Sequence, residues 1–169
     1  MLMKKIILAA IIGGIFLCLG VGYFATRPEE VREDRYYKVA YVIDGDTFVA
    51  DADGRDITVR MLGIDTPETV DPSKPPDCFG REASNATKAL LKARSVHFGI
   101  NKGRELKDRY DRYLLYVYRD DGLFVNEYLI REGFAREYTF GRPYSMQAEF
   151  RSMESKARKA HVGLWGKCQ

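Results

Sequence analysis

The sequence predicts an α+β chain that is mainly β: a five-stranded OB-fold barrel of Greek-key type with three helices, preceded by an N-terminal transmembrane or signal helix. Three observations carry this reading. Five segments rich in β-branched and aromatic residues are separated by turn signals or short helical patterns. The helical patterns fall between and after the strands, the arrangement of a small barrel with helices packed on it. A chain of 169 residues, 46% hydrophobic and 30% charged, suits one modest globular domain with a single core.

Taken in order, Tyr36–Ile43 is the first strand, and Thr47–Asp51 continues extended after a break at Asp44-Gly45-Asp46. Asp53-Gly54 is a strong hairpin signal, since tight two-residue turns need a positive φ that these residues tolerate. It leads into the third strand, Ile57–Leu62. The segment 66–78 contains Pro67, Pro72, Pro75 and Pro76 and is therefore loop. Ala83, Ala86, Leu90 and Ala93 recur at helical spacing and predict the first helix of the domain. Ser95–Ile100 alternates as a strand. The polar, basic stretch Asn101–Arg109 follows, then the fifth strand, Tyr113–Tyr118, and the turn Asp120-Asp121-Gly122. Val125–Glu132 is a short helix ended by Gly133. The last helix spans Ser145–His161, with Phe150, Met153, Ala157 and Ala160 as its apolar stripe. There is no internal repeat.

Ahead of the domain, Lys4-Lys5 precede an uncharged run of 21 residues, Ile6–Thr26. As a helix that run is about 31 Å long, the thickness of a bilayer hydrocarbon core. The two lysines favour a cytoplasmic N-terminus. Residues 1–26 are thus expected to be a single-pass anchor in the cell membrane, with the domain outside. The alternative is a cleaved signal peptide, for which Gly20-Val21-Gly22 offers a small-x-small site, and a secreted domain. Residues 27–35 read as a charged tether, and 36–169 as the domain itself. Export bears on the cysteines. Cys18 lies in the apolar run, and in an oxidising compartment the remaining pair, Cys78 and Cys168, is expected to be bridged, two independent thiols being the alternative.

Composition also excludes several chemistries. With 27 basic and 24 acidic residues, and Lys4 and Lys5 supplying two of the three net positive charges, the domain is close to neutral. Strong non-specific nucleic-acid binding by overall charge is disfavoured; any anion site must come from local clustering. His97 and His161, the only histidines, cannot build a Cys/His zinc array or a paired-His metal site, and both are expected to be structural. Chemistry is left to carboxylates and arginines. These concentrate beside turns in three places: Ile43-Asp44-Gly45-Asp46-Thr47, Arg60–Glu68, and Asp108-Arg109-Tyr110-Asp111-Arg112. In the first, a glycine between two aspartates permits a sharp turn that faces Asp46 away from the core. In the second, Arg60, Leu62 and Ile64 are expected on one strand face, with Asp65 and Glu68 at and beyond the strand end. Each alone is ordinary turn chemistry; the order and spacing of all three are far more specific.

Ile-Asp-Gly-Asp-Thr, Arg-x-Leu-x-x-Asp-Thr-Pro-Glu and Asp-x-Tyr-x-Arg together resemble the staphylococcal nuclease (thermonuclease) family. The similarity extends to Phe79–Ser84 and to Val125-Asn126-Glu127, and covers about residues 38–166. It implies an OB barrel with three helices and calcium-dependent hydrolysis of phosphodiester bonds in DNA and/or RNA, with little sequence preference. On that resemblance, Asp46 and Asp65 match the calcium carboxylates and Thr66 a backbone-carbonyl ligand, hard oxygens of the kind Ca²⁺ takes. Asp44 resembles a nearby supporting carboxylate. Glu68 matches the residue that activates or positions the attacking water. Arg60 and Arg112 match the pair that grips the phosphate as charge develops, a task suited to planar guanidinium forks. Arg109 and Tyr110 align with positions touching a terminal phosphate and a nucleotide, and Tyr138 or Phe140 would add another ring. The third motif departs from the family pattern: Asp111 stands where glycine is usual, and Tyr113 where a small residue is common.

The expected protein is thus an extracytoplasmic, calcium-dependent endonuclease, monomeric, with nucleic acid as substrate and the N-terminal helix in the membrane. A non-catalytic OB module binding nucleic acid through Lys102, Arg104, Lys107 and Arg109 is the leading rival. A calcium-stabilised envelope protein without hydrolytic activity is the second.

Overall fold

A computed structural model describes residues 31–69, 73 and 75–168. The expected anchor or signal helix, and residues 27–30 of the tether, lie outside the described residues. Five strands close into a barrel in the order β1 (Tyr37–Val42), β2 (Thr47–Asp51), β3 (Asp56–Met61), β6 (Tyr113–Arg119), β5 (Ser95–Gly99). All neighbours are antiparallel except β3 and β6, which run parallel with Arg60 opposite Leu114. The hairpin between β2 and β3 turns at Asp53 and Gly54, whose φ values of 56° and 80° are those a tight turn demands. A separate two-stranded ladder joins β4 (Ile64–Asp65) to β7 (Arg136–Glu137), with Asp65 opposite Arg136.

The barrel is filled by alternate strand residues. Phe48 and Ala50, Val59 and Met61, Val96 and Phe98, Leu115 and Val117 are all buried. Three helices pack around it: α1 (Gly80–Leu91), α2 (Val125–Arg131) and α3 (Gln147–Lys159), followed by the single turn α4 (Leu164–Lys167). At the start of α2, Asn126 is fully buried and ties β6 to the turn that follows β3. Its side chain accepts from the Val117 N–H and donates to the Leu62 carbonyl, each at 2.9 Å.

Three local expectations need correction. Helix α1 stops at Leu91, and Ala93 lies beyond it, exposed and left-handed at φ 57°. Its buried face is Ala83, Ser84, Thr87 and Leu91, while Ala86 is only half-buried. Polar Thr87 is tolerated inside because its hydroxyl donates to the Gly45 carbonyl at 2.6 Å. In α3, Phe150 and Ala157 are buried, but Ala160 caps the helix end and is exposed. Arg60, Leu62 and Ile64 do not share one strand. The chain turns at Leu62-Gly63, with Gly63 at φ 81°, and Ile64-Asp65 enter the second sheet. A side chain on Gly63 would collide with the Tyr144 ring at 2.6 Å, so the turn also needs glycine for space.

Candidate active site

The turn between β1 and β2 delivers Asp44 and Asp46 to one end of the barrel. The Ile43 and Asp44 N–H groups both donate to the Thr47 carbonyl, at 2.9 and 3.0 Å, which closes this turn. Gly45 is required here by space rather than by conformation, since its φ is not positive. A Cβ on it would stand 2.6 Å from Thr66 Oγ1 and 2.8 Å from Thr66 Cβ. The two segments are thereby pressed together, and the Thr66 N–H donates to Asp46 Oδ2 at 3.1 Å. Asp46 Oδ1 accepts from the Thr47 hydroxyl at 2.9 Å.

Arg60, projecting from β3 and largely buried, joins the two candidate ligand carboxylates. Its Nη1 lies against Asp46 Oδ2, and its Nη2 donates to Asp65 Oδ1 at 2.9 Å. Burial pushes the Asp65 carboxyl above the ordinary aspartate value, with Arg60 opposing. Asp44 is raised as well, mainly by burial, although the Thr69 hydroxyl and the Gly45 N–H donate to it at 2.5 and 2.8 Å. The neighbouring Glu68 adds to that rise.

Glu68 sits just past this cluster, where Pro67 ends the chain's approach. Its backbone is clamped to Asp77: the Glu68 N–H donates to Asp77 Oδ2 at 3.2 Å, and the Asp77 N–H returns a bond to the Glu68 carbonyl at 2.9 Å. The next residue, Cys78, is bonded to Cys168, with Cα atoms 5.9 Å apart. Asp65, Thr66, Glu68, Asp77, Cys78 and Arg136 line a concavity of about 510 Å³.

Arg60 also lines a larger cleft, about 720 Å³, whose walls include Arg109, Tyr110, Arg112, Tyr138 and Phe140. Tyr110, Tyr138 and Phe140 are strongly exposed, an unusual state for rings and one suited to stacking. Arg109 and Arg112 stand over the Tyr110 ring at 4.8 and 5.3 Å. Arg112 is aimed by Asp108, which receives its Nε and Nη2 at 2.7 Å each. Burial pushes the Asp108 carboxyl up, but the Arg112 guanidinium and the Arg112 and Tyr110 N–H groups outweigh it and hold it below its ordinary value. Arg104 ties the far wall in place, donating to the Phe140 carbonyl at 2.7 Å and contacting that of Arg142. Lys107 also lines the cleft, whereas Lys102 does not.

The structure therefore brings Asp44, Asp46, Arg60, Asp65, Thr66 and Glu68 together at one barrel end, with Arg112, Arg109, Tyr110 and Tyr138 across the adjoining cleft. The sequence places Asp108 only within the third motif, with no role, and Arg104 only in the rival binding module; it points to neither Thr69 nor Asp77. Only the spacing of Asp108 and Arg112, four apart, carried a readable signal.

The family profile described as "Staphylococcal nuclease homologue" matches residues 58–167. The chain belongs to the staphylococcal nuclease family. Among its relatives, a thermonuclease of Staphylococcus hyicus is 36% identical over 160 residues, covering 95% of this chain and 93% of the relative. A thermonuclease of Staphylococcus intermedius is also 36% identical, covering 96% and 99%. The endonuclease YncB of Bacillus subtilis is 36% identical over 74% of this chain, which spans 59% of that longer protein. The five-stranded closed barrel with three helices is the fold expected of a staphylococcal nuclease homologue. Within this family the departure at Asp111 has a structural account. Its backbone is left-handed at φ 62°, the region that glycine enters most easily and aspartate tolerates. The Asp111 carboxylate pairs with Lys107 at 2.7 Å, not with Arg112.

Proposed function

We propose that this member of the staphylococcal nuclease family is a calcium-dependent endonuclease that hydrolyses phosphodiester bonds of DNA and/or RNA outside the cytoplasm. The observation that carries the reading is the position of Arg60: two carboxylates converge on its guanidinium, and it also lines a basic, aromatic cleft. Among the described residues no group of three or more His, Cys, Asp or Glu side chains forms a ready metal cluster. The donor chemistry nevertheless fits Ca²⁺. Asp46 and Asp65 already meet on one cation, and the Thr66 backbone is tied to Asp46, so two carboxylates and the Thr66 carbonyl would hold the ion, with water completing its shell. Bound there, calcium supplies Lewis-acid stabilisation of phosphate charge and a template for the substrate.

The chain's own groups divide the remaining work. Glu68, half-exposed in the smaller concavity, accepts the proton of the attacking water as the water oxygen bonds to phosphorus. The P–O ester bond breaks, and its oxygen takes a proton from solvent. Arg60 and Arg112 hold the phosphate oxygens as their charge grows. The rings of Tyr110, Tyr138 and Phe140 stack on bases, which tolerates any base identity. Location outside the cytoplasm rests on the apolar run Ile6–Thr26 and on a disulfide in the domain, a bond suited to an oxidising compartment.

The test is cleavage of single-stranded DNA and RNA by the full chain, in calcium and in excess chelator, beside Arg60→Ala, Arg112→Ala and Glu68→Gln. Calcium-dependent cleavage that each substitution lowers by a factor of about 10² or more supports the reading. Binding without cleavage in either condition overturns it in favour of a nucleic-acid-binding module.

A further inference from the structure

We propose that Arg136 is a second phosphate-binding subsite. It would take the phosphate next to the scissile one, on the Glu68 side of Arg60. The inference rests on the nuclease reading and extends it to the path of the strand. Three carboxylates, Asp65, Glu68 and Asp77, line the smaller concavity, and among the described residues Arg136 is the one cationic side chain in its wall. The larger cleft, in contrast, presents Arg60, Arg104, Lys107, Arg109 and Arg112. A strand cut internally must leave the scissile position in both directions. On the Glu68 side it meets a wall that is acidic on balance, and Arg136 is the side chain there that can hold a phosphate.

The side chain is built for this task. Arg136 lies opposite Asp65 in the β4–β7 ladder, so its backbone is fixed beside the reacting centre. Most arginines here are consumed by carboxylates, among them Arg94, Arg112, Arg119 and Arg158. Among the described residues, Arg136 makes no side-chain hydrogen bond or ion pair. Its guanidinium carbon lies 5.7 Å from the centre of the Trp165 ring, within cation–π range. Arg158 lies against the same ring at 3.7 Å. A contact of this kind leaves the guanidinium N–H donors for a ligand, and a phosphate uses that fork better than a single-point acceptor does. The ring is itself anchored. Trp165 belongs to α4, and Cys168, just beyond it, is bonded to Cys78 in the wall of the concavity.

The test compares the full chain with Arg136→Ala and Arg136→Lys on a single-stranded DNA oligonucleotide of about a dozen nucleotides, in calcium, across a salt series. With Arg136→Ala, KM rises about tenfold and the slope of log KM against log salt falls by about 0.7, the loss of one contact on a single strand. Arg136→Lys recovers the slope but only part of the affinity. A neutral methylphosphonate beside the scissile phosphate on one side weakens the wild type and does not weaken Arg136→Ala further. If Arg136→Ala keeps the wild-type KM and salt slope, the subsite is refuted. It is equally refuted if the substitution changes calcium affinity alone, since Arg136 then serves Asp65 and not the substrate. Absence of cleavage by the wild type would be a failure of the nuclease reading; the salt slope of oligonucleotide binding still decides on Arg136.

Discussion

Replacing Gly45 by alanine tests how tightly the two acidic segments are held together. The new methyl would stand 2.6 Å from Thr66 Oγ1 and 2.8 Å from both Cβ and Cγ2 of that residue. Thr66 cannot swing clear, because it is β-branched and its N–H is committed to Asp46 Oδ2 at 3.1 Å. Overpacking of this kind costs about 1–3 kcal/mol. Gly45 is not in the left-handed region, so no backbone strain is added, and the loss of unfolded-state freedom returns about 0.4–1 kcal/mol. The net expectation is a loss of about 1–2 kcal/mol. At a slope of about 2 kcal/mol per molar urea, the unfolding midpoint then falls by about 0.5–1 M. Because the movement separates Thr66 from Asp46, the proposed calcium site should weaken at the same time, with affinity falling by about tenfold or 1.4 kcal/mol. Urea unfolding monitored with and without calcium, and calorimetric titration with calcium, read both effects. Adding Thr66→Ala to Gly45→Ala removes Oγ1 and Cγ2 and should recover part of the lost stability, a coupling that distant sites do not show. A Gly45→Ala protein as stable as the wild type, with unaltered calcium affinity, would refute the argument that these segments are jammed against each other.

Three further outcomes are expected. Replacing Cys78 and Cys168 by serine opens a link across a sequence separation of 90, and the chain-entropy model puts the loss at about 4–5 kcal/mol in urea unfolding; an unchanged midpoint would mean that the unfolded state is not constrained by the bridge. Burial, reinforced by the Glu137 carboxylate at 2.9 Å, pushes the Tyr144 phenol well above its ordinary value. The neutral form is favoured by folding, so this contribution is complete below about pH 10 and is lost as pH rises above it. Urea midpoints should decline between about pH 9.5 and 11, and Tyr144→Phe should flatten that decline, an identical decline in the variant counting against the assignment. Asp111→Gly should leave cleavage within about threefold of wild type, because the Asp111 carboxylate faces Lys107 and not Arg112. A tenfold gain in rate would show that Asp111 draws on the phosphate-binding arginine after all.

Much of the barrel was legible in the chain. Alternation of apolar residues marks β3 and β5, where burial follows the same period of two, and Asp53-Gly54 announced its own turn. Helix faces were read less well. The apolar rule chose Ala86 and Ala93, whereas α1 buries Ser84 and Thr87, the latter held by the Gly45 carbonyl from 42 residues away. Proximity of the three acid and arginine segments could be expected from their motifs. Their couplings could not, because each depends on distances between segments far apart in sequence.

The strand pattern, the family, and the set of carboxylates and arginines available for chemistry are all readable from the chain alone. These follow from residue type, local backbone preference and spacing, which act over a few positions. Chain folding in three dimensions is what sets Gly45 against Thr66, Asp108 rather than Asp111 on Arg112, and Arg136 within cation–π range of Trp165. Such pairings arise when the barrel closes and brings distant segments within contact range. A hydrogen bond or a steric collision depends on tenths of an ångström that no local preference encodes.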